Sequence, residues 1–458
     1  MNFTQIKLLG WPPSSARQRG LTVDGASHIY EKPHEALASF MAKIIYIEGP
    51  MKTARQLRPH YGHAVSGDSF WPRSFSVNLA VETLRDGGSI ALFGPRRTGK
   101  SSIMKEAARI LREGKDHHPI EIDLEGRSGP AAFASKLIEE IPKPLRGKIV
   151  TGWTKLGGLP PALLKLLEGF GQKSPSPLPT DSKTEGLMRE YWELLSETVY
   201  TNAKDSKLKV VLFLDELPYF CEEQIVKGVS VAEIDTFLAT LRRWRQSGAI
   251  PMAIAGSIGI RHLVRTYGIR ADHLNDLTPI TIEALTASDA TEMLAALAAH
   301  KQIGWWSLEL GKAVVDGAPD LIPSYLQRAF AEVVARDART PEAAAAALQG
   351  RMKAEFEQGF FDQFTKRLRR YGKGEKAARA ALACVGASDP EPVNRDAVEE
   401  AISNAGVKSQ DAVEDTLLTL VEDGFLHVDA SAGTAAFAYR LVASWWRSRP
   451  GDRRRKKV

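Results

Sequence analysis

The feature that most constrains the fold of this sequence is a glycine-rich turn between an apolar run and a helical pattern. Residues 94–101, Gly-Pro-Arg-Arg-Thr-Gly-Lys-Ser, match the pattern G-x-x-x-x-G-K-[ST] in full. Residues 89–93 before the turn are mostly apolar, and residues 100–111 after it have apolar side chains at helical spacing. A strand, a loop and a helix in this order predict a phosphate-binding loop.

Each residue type in this loop has a physical task. Gly94 and Gly99 let the backbone curl so that its N–H groups point at phosphates, and the following helix adds its positive N-terminal dipole. Lys100 is expected to reach the β and γ phosphates, and the Ser101 hydroxyl to coordinate Mg²⁺. The predicted ATP-binding residues of the loop are Gly94, Pro95, Arg96, Arg97, Thr98, Gly99, Lys100, Ser101 and Ser102. The alternative is a chance glycine-rich turn, which the flanking strand and helix disfavour.

An acidic pair ends another apolar run. Residues 210–214, Val-Val-Leu-Phe-Leu, precede Asp215 and Glu216. Such a run is typical of a strand buried on both faces of a parallel sheet, and ligands bind at the carboxyl edge of these sheets. We expect Asp215 to hold Mg²⁺ with Ser101, and Glu216 to act as general base on the attacking water. The alternative is that Asp215 caps the next helix.

Ser257 is a third candidate catalytic residue. It follows Gly256 at the end of the predicted strand 250–255. A polar side chain there is placed to act as a sensor between the γ phosphate and Glu216. Equally, Gly256 and Ser257 can cap the following helix, and the sequence leaves both interpretations open.

Alternating strand and helix signals predict an α/β fold of the P-loop NTPase (AAA+-like) type, with a doubly wound parallel sheet. The predicted strands are 89–93, 119–124, 208–214 and 250–255. The predicted helices are 76–84, 100–111, 131–141, 185–200 and 231–246. A segment rich in proline, glycine and lysine, 142–183, is expected to be a surface insertion.

Strand signals stop near residue 283, and helical ones take over. The expected domains are an N-terminal extension (1–66), the ATPase core (67–282), a helical lid (283–372), a winged-helix domain (373–446) and a basic tail (447–458). Predicted lid helices are 287–299, 325–338 and 341–364, the last with Thr340 as N-cap and Pro341 as first residue. The winged helix is predicted from helices 376–385, 395–405 and 410–422 and strands 425–428 and 435–439.

Charge and composition limit the classes of partner. The chain has 458 residues and a net charge of +6, but five basic residues form the run 453–457, so the rest is nearly neutral. No apolar run is long enough for a membrane span, and a cytoplasmic location is expected. The two cysteines, Cys221 and Cys384, lack neighbours at metal-ligand spacing, which disfavours a zinc site or a disulfide framework.

The predicted winged helix raises the question of DNA binding. Its last helix, 410–422, contains four acidic residues and no Lys or Arg, and that charge opposes DNA phosphate. We therefore expect this domain to pack against protein. The basic run 453–457 is either a loose nucleic-acid contact or, more commonly, a solvated terminus. Trp445 and Trp446 are interpreted as core anchors, with an exposed contact site as the alternative.

Several segments together resemble the archaeal-type ATPases, which belong to the STAND branch of the AAA+ superfamily and also occur in bacteria. The resemblance runs from about residue 67 to the tail and leaves residues 1–66 outside it. The segments are the loop 94–101, Phe-Trp-Pro-Arg at 70–73, Leu-Asp-Glu-Leu-Pro at 214–218, Leu-Arg-Arg-Trp-Arg at 241–245, Ala-Gly-Ser-Ile-Gly at 255–259, Asn-Asp-Leu at 275–277 and Gly-Ala-Pro at 317–319.

This resemblance implies an ATP-driven switch that hydrolyses ATP and regulates a protein partner or a homo-oligomer, in a prokaryotic stress, defence or mobile-element system. It implies that the lid senses the base and ribose through the segment ending at Pro319, and that Arg73 lies near the adenine. The family often uses an arginine to complete the site, and Arg270 and Arg261 are the candidates. Two alternatives are an ATP-controlled DNA-binding protein and a nucleotide-stabilised scaffold without turnover.

Overall fold

The computed structural model divides the chain into two units, 1–54 and 55–458, and the described residues all belong to the second. They are residues 56–60, 62–125, 133, 134, 136, 137, 140–142, 192–257, 259–349 and 351–449. Most of the predicted N-terminal extension, the insertion from residue 143 onward and the run 453–457 lie outside the described residues. The predicted helices 131–141 and 185–200 are covered in part.

The core of the second unit is a five-stranded parallel sheet with the strand order β2-β3-β4-β1-β5. Its strands are β1 (Ser89–Phe93), β2 (His117–Asp123), β3 (Lys209–Asp215), β4 (Met252–Gly256) and β5 (Leu277–Pro279). In the register, Phe93 pairs with Gly256, and Asp123 pairs with Asp215. The carboxyl ends of four strands therefore meet at one edge, and the predicted α/β fold of the P-loop NTPase type is confirmed.

Helices cover both faces of this sheet. They are α1 (Ser74–Arg85), α2 (Lys100–Glu113), α3 (Trp192–Lys204), α4 (Leu217–Val226), α5 (Val231–Gln246) and α6 (Ile260–Tyr267). Val211 and Phe213 of β3 pack with α1 and α2, whereas Leu212 and Leu214 pack with α3, α4 and α5. Successive side chains of a strand point to opposite faces, so this almost wholly apolar strand is buried on both sides.

Some core predictions agree with the structure and others differ. The bounds of β1 and α5 are those predicted, and β2 begins two residues earlier than expected. Neither α4 nor β5 was predicted. The short strand β5 has only three residues and contains Pro279, so it carries no detectable alternation of apolar and polar residues.

A helical region follows the sheet, as predicted. Its helices are α7 (Ala287–His300), α8 (Leu308–Gly317), α9 (Pro323–Ala335), α10 (Pro341–Leu348) and α11 (Arg351–Arg369). The predicted cap at Thr340 is confirmed, because its hydroxyl accepts a hydrogen bond from Ala343 N at 3.2 Å. The single predicted helix 341–364 was wrong, because the backbone is extended at Gln349 and two helices form. Helix α8 was not predicted.

The C-terminal region contains four helices and a small antiparallel sheet of order β6-β8-β7. Its elements are α12 (Glu375–Ser388), β6 (Val393–Asn394), α13 (Arg395–Asn404), α14 (Gln410–Glu422), β7 (Leu426–Asp429), β8 (Thr434–Phe437) and α15 (Arg440–Ser448). Val413 and Leu417 are buried, as their spacing predicted. Trp445 and Trp446 are also buried, so the core interpretation of this pair is confirmed.

One hydrophobic core joins the helical region to the C-terminal region. At its centre the ring of Phe364 lies 5.8 Å from that of Phe425 and 5.5 Å from that of Trp445. Asp320, between α8 and α9, accepts a hydrogen bond from Leu441 N at the start of α15. These contacts make α7–α15 a continuous packed body. Within the described residues, every helix is too short or too polar to span a membrane.

Candidate nucleotide site

The loop 94–101 connects β1 to α2 at the carboxyl edge of the sheet. Gly94 and Gly99 have φ angles of 138° and 105°, which side chains with a Cβ rarely adopt. Lys100, 5% exposed, donates to Gly94 O at 2.9 Å and to Pro95 O at 2.6 Å. The Thr98 hydroxyl stabilises the same turn, because it donates to Pro95 O at 3.0 Å. The loop therefore encloses one ammonium group.

Burial sets the ionisation of Lys100. Desolvation lowers the pKa of this amine to about 8, and the carboxylates of Glu216 and Asp215 act in the opposite direction. Two of its three N–H donors are used by the loop carbonyls. A phosphate group beside the amine favours the charged form, so the site has an electrostatic preference for anions.

The acidic pair ends β3 beside this loop. The Ser101 hydroxyl donates to Asp215 Oδ2, although the two residues lie far apart in sequence. Burial raises the pKa of Asp215, the bond from Ser101 opposes that rise, and the charge of Glu216 adds to it. The structure thus brings together the two residues predicted to hold a metal ion.

Glu216 follows in a left-handed conformation, with φ of 57°, and its N–H donates to Asp215 Oδ1 at 3.0 Å. Residues other than glycine adopt this conformation uncommonly, and such strain concentrates at functional sites. The N-cap of α4 is Glu216, which makes no side-chain capping bond. The alternative role of Asp215 as a helix cap was therefore wrong.

Ser257 lies at the end of β4 and contacts Glu216 twice. Its backbone N–H donates to Glu216 Oε2 at 2.9 Å, and its hydroxyl donates to the same oxygen at 2.8 Å. The N-cap of α6 is Gly259, so Ser257 is not the cap of that helix. The two bonds fix one carboxylate oxygen of Glu216.

Arg73 packs against the second half of the loop. Its Nη1 donates to Thr98 O at 2.6 Å, and a Cβ added at Gly99 would lie 3.3 Å from the same nitrogen. Burial lowers the pKa of Arg73 to about 10, opposed by Tyr439. Its Nε and Nη2 are buried without a hydrogen-bond partner. Buried donors of a cation are costly when unpaired, so these two nitrogens point to a missing acceptor.

The remaining loop residues make contacts on its outer side. Arg96 pairs with Glu125 at 3.0 Å, and the Ser102 hydroxyl accepts from Val65 N at 3.2 Å. Arg97 O accepts from the Ser324 hydroxyl of α9 at 3.1 Å. The predicted lid contact, Pro319, lies in the turn between α8 and α9. Among the described residues, Ser324 joins the helical region to the loop by a hydrogen bond, and the role of Pro319 toward the base and ribose stays a prediction.

The structure does not bring the arginine candidates to the loop. Arg270 pairs with Asp235 of α5 through its Nε, at 2.8 Å, and its role in completing the site stays a prediction. Arg261 pairs with Glu422 at 2.7 Å and with Asp415 at 3.1 Å, both on α14. Arg261 therefore joins the core to the C-terminal region.

One contact to the loop and one buried arginine on α11 could not be predicted from the sequence. A Cβ added at Gly424, after α14, would lie 2.2 Å from Pro95 Cδ, so the C-terminal region touches the loop directly. Arg367 of α11 is 7% exposed and donates to Asp423 O at 3.1 Å. No local pattern distinguishes either residue, because both contacts join distant parts of the chain.

A family model described as an AAA domain matches residues 83–264. No curated protein matches the chain. The structure is similar to the Walker-type ATPase paby2304 of Pyrococcus abyssi, at 15% identity and a TM-score of 0.50, over 86% of this chain and 100% of that one. It is also similar to the ADP form of the ORC2 protein of Aeropyrum pernix, at 12% identity and a TM-score of 0.41, over 85% and 96% of the two chains.

The family match and the loop together define the class of the core: residues 83–264 match an AAA domain and have the fold of a P-loop NTPase. The likeness to the P. abyssi protein shows that the two chains share a fold, which extends beyond the AAA domain into the helical and C-terminal regions.

Proposed function

We propose that the chain is an ATP-binding and ATP-hydrolysing switch of the AAA+/STAND type that regulates a partner protein. The observation that carries this proposal is the hydrogen-bonded series Ser101–Asp215–Glu216–Ser257 beside the buried amine of Lys100. This series places two hydroxyls and two carboxylates beside an ammonium group at one sheet edge. Phosphate transfer to water uses these groups to position the reactants and to stabilise charge.

The residues present fit ATP and Mg²⁺. The unpaired Nε and Nη2 of Arg73 call for an acceptor next to the loop, which a nucleotide supplies. Ser101 and Asp215 would hold Mg²⁺, since both offer the oxygen ligands that this ion prefers. Mg²⁺ would neutralise negative charge on the phosphates. Arg73 is proposed to contact the nucleotide from the α1 side.

Glu216 is the proposed general base. Ser257 holds Oε2 through two bonds, so the carboxylate is oriented before any water reaches it. The other carboxylate oxygen of Glu216 is proposed to accept a proton from the attacking water. Lys100 donates to the phosphates, and the loop N–H groups add further donors.

The C-terminal region is proposed to be a winged helix that reports on the state of the site. Helices α12, α13 and α14 followed by the hairpin β7–β8 support this assignment. The contact between Gly424 and Pro95, and the bond from Ser324 to Arg97 O, connect both helical units to the loop. A change at the phosphates would therefore move these units and expose or hide a surface for a protein partner or a second copy of the chain.

Turnover by Glu216→Gln tests the proposal. Glutamine keeps the shape of the side chain but cannot accept the proton, so Mg²⁺-dependent hydrolysis should fall at least about hundredfold while ATP binding persists. Glu223→Gln is the matched control, because Glu223 lies on α4 and pairs with Lys227, the residue that follows this helix. Equal turnover in wild type and Glu216→Gln would show that Glu216 is not the general base.

The DNA-binding alternative is less well supported. Helix α14 directs Asp415 and Glu422 at Arg261 of the core, so the face that a winged helix offers to DNA is partly used within the chain. DNA affinity that falls steeply with salt would favour that alternative. A scaffold without turnover would show a raised melting temperature with ATP and no phosphate release.

A further inference from the structure

A cavity of about 430 Å³ lies on the core, away from the phosphate-binding loop. It is lined by Tyr200 of α3, by the C-terminal half of α5 and by Arg270 and His273, which follow α6. Helices α3 and α5 cover one face of the sheet, and α1 and α2 cover the other. The sheet therefore separates this cavity from α2, and its volume is within the range of small-molecule sites.

The charged side chains of the cavity lining are cations. Arg242, Arg243 and Arg270 line it, and among the described residues no carboxylate does. Each of the three guanidinium groups is paired with a carboxylate that lies outside the lining. An anion in the cavity would thus contact guanidinium groups directly, and Coulomb attraction would favour its binding.

Arg243 has donors to spare for such an anion. Its Nη1 pairs with Glu197 of α3 at 2.6 Å, and its guanidinium carbon lies 4.6 Å from the centre of the Tyr200 ring. These two contacts orient the side chain, which is 56% exposed. A guanidinium has five N–H donors, and the part of the chain that the structure describes offers Arg243 no other hydrogen-bond partner.

Asp235 orients two other side chains of the lining. Its Oδ2 accepts from Arg270 Nε at 2.8 Å, and its Oδ1 lies 2.8 Å from His273 Nε2. The Arg270 guanidinium makes no further hydrogen bond to the described residues, so its two terminal nitrogens are available. Side chains that are already held in place lose little conformational entropy when a ligand binds.

We propose that this cavity is a second anion site, which binds a small phosphorylated molecule through Arg243 and Arg270. The planar fork of a guanidinium matches the oxygen atoms of a phosphate group, with which it forms paired hydrogen bonds. Several guanidinium groups in one cavity suit a ligand with more than one negative charge. The inference is independent of the proposed function, because the sheet separates the cavity from the helix that follows the loop.

Calorimetric titration with inorganic pyrophosphate, in magnesium-free buffer of constant ionic strength, tests the inference. Wild type should bind about one equivalent at the cavity, besides any that the phosphate-binding loop takes up. Arg243→Ala and Arg270→Ala should each weaken binding at the cavity by about tenfold or more, since each removes charge-assisted hydrogen bonds. Arg243→Lys keeps the charge without the fork and should recover part of the affinity.

Arg336→Ala is the matched control, because Arg336 is also half exposed and ion-paired, with Glu332 of α9 at 2.7 Å. Its pyrophosphate affinity should equal that of wild type, and an equal loss in this variant and in Arg243→Ala would overturn the inference. Equal affinities in wild type and Arg243→Ala would overturn it as well.

Lys100→Ala distinguishes the cavity from the phosphate-binding loop. This variant should keep the equivalent of pyrophosphate that depends on Arg243. If Lys100→Ala instead abolished all pyrophosphate binding, the probe would bind at the loop alone and the inference would be wrong. A wild type that binds pyrophosphate in the Arg243-dependent way but does not bind ATP would reject the proposed function and leave this inference intact.

Discussion

Gly424 and Pro95 are in direct contact, although one follows a helix of the C-terminal region and the other belongs to the phosphate-binding loop. Gly424 has a φ of 70° and ends α14 in the left-handed conformation common after helices. No side chain fits there, because a Cβ would lie 2.6 Å from Pro95 Cγ and 3.3 Å from Tyr439. The loop therefore cannot shift at Pro95 toward α14 without moving the end of that helix.

Gly424→Ala should destabilise the protein more than the matched change Gly433→Ala. Both residues have positive φ, so both substitutions cost about 1 kcal/mol in backbone conformation. Nothing lies within 4 Å of a Cβ at Gly433, whereas Gly424 meets Pro95. Thermal unfolding of the two variants measures the difference, and equal melting temperatures would show that the contact does not constrain the loop.

Ser257→Ala should lower hydrolysis about tenfold with little change in ATP affinity, since Glu216 loses one of two hydrogen bonds to the same oxygen. The backbone bond from residue 257 remains. Steady-state turnover is the measurement. Ser230→Ala is the control, because Ser230 only caps α5 by accepting from Glu233 N. A similar loss of turnover in both variants would argue against a role for Ser257 at the site.

Nucleotide binding should take up a proton at alkaline pH. Burial lowers the pKa of Lys100 to about 8, so the free amine is mostly neutral above that pH. Phosphate favours the ammonium form and raises the pKa on binding. Calorimetry in buffers of different ionisation enthalpy should give about one proton per nucleotide near pH 9 and about none near pH 7. The same proton uptake at both pH values would show that Lys100 is not the group that takes up the proton.

The ion pair of Arg261 should stabilise the protein in a pH-dependent way. Burial raises the pKa of Glu422 to about 7, and Arg261 opposes that rise. A carboxyl with a raised pKa is neutral below that value, so its stability contribution falls as pH rises through it. Arg261→Ala should therefore lower the melting temperature more near pH 8, where Glu422 is ionised and unpaired, than near pH 5.

Arg270→Ala provides the control for this pH dependence. Burial of Asp235 opposes its ionisation, but hydrogen bonds from Arg270 and His273 outweigh that effect and hold its pKa below the usual range. Asp235 is therefore ionised at both pH values, and the loss of Arg270 should cost the same at each. If Arg261→Ala behaved in this pH-independent way, Glu422 would not be the titrating group.

The parts of the fold that the sequence predicted well are those with a local cause. The phosphate-binding loop lies between a strand and a helix that are adjacent in sequence, and β3 is long and almost wholly apolar. Helix α8 escaped prediction because Gly311 lowers its helix propensity, although Ser307 caps it through a bond from Leu310 N. Strand β5 is stabilised by pairing with β1, which no local pattern reveals.

The features of the candidate site also differ in whether the local sequence predicts them. Lys100, Asp215 and Glu216 could be predicted because each stands at the end of a recognisable strand or loop. The contact between Gly424 and Pro95 could not, since only tertiary packing brings the end of α14 to the loop. The pairing of Arg270 with Asp235 could not be predicted either, because no local pattern joins these two residues.

We propose that the loop ahead of α2 binds a triphosphate through Lys100. Titration of ATP into wild type, Lys100→Ala and Lys105→Ala tests it most directly. Lys105 is the control because it is exposed on the same helix, where its amine donates to Ala64 O at 3.4 Å. We expect the ATP affinity of Lys100→Ala to fall by about hundredfold or more, and that of Lys105→Ala to equal the wild-type value. Equal ATP affinity in all three proteins would contradict it.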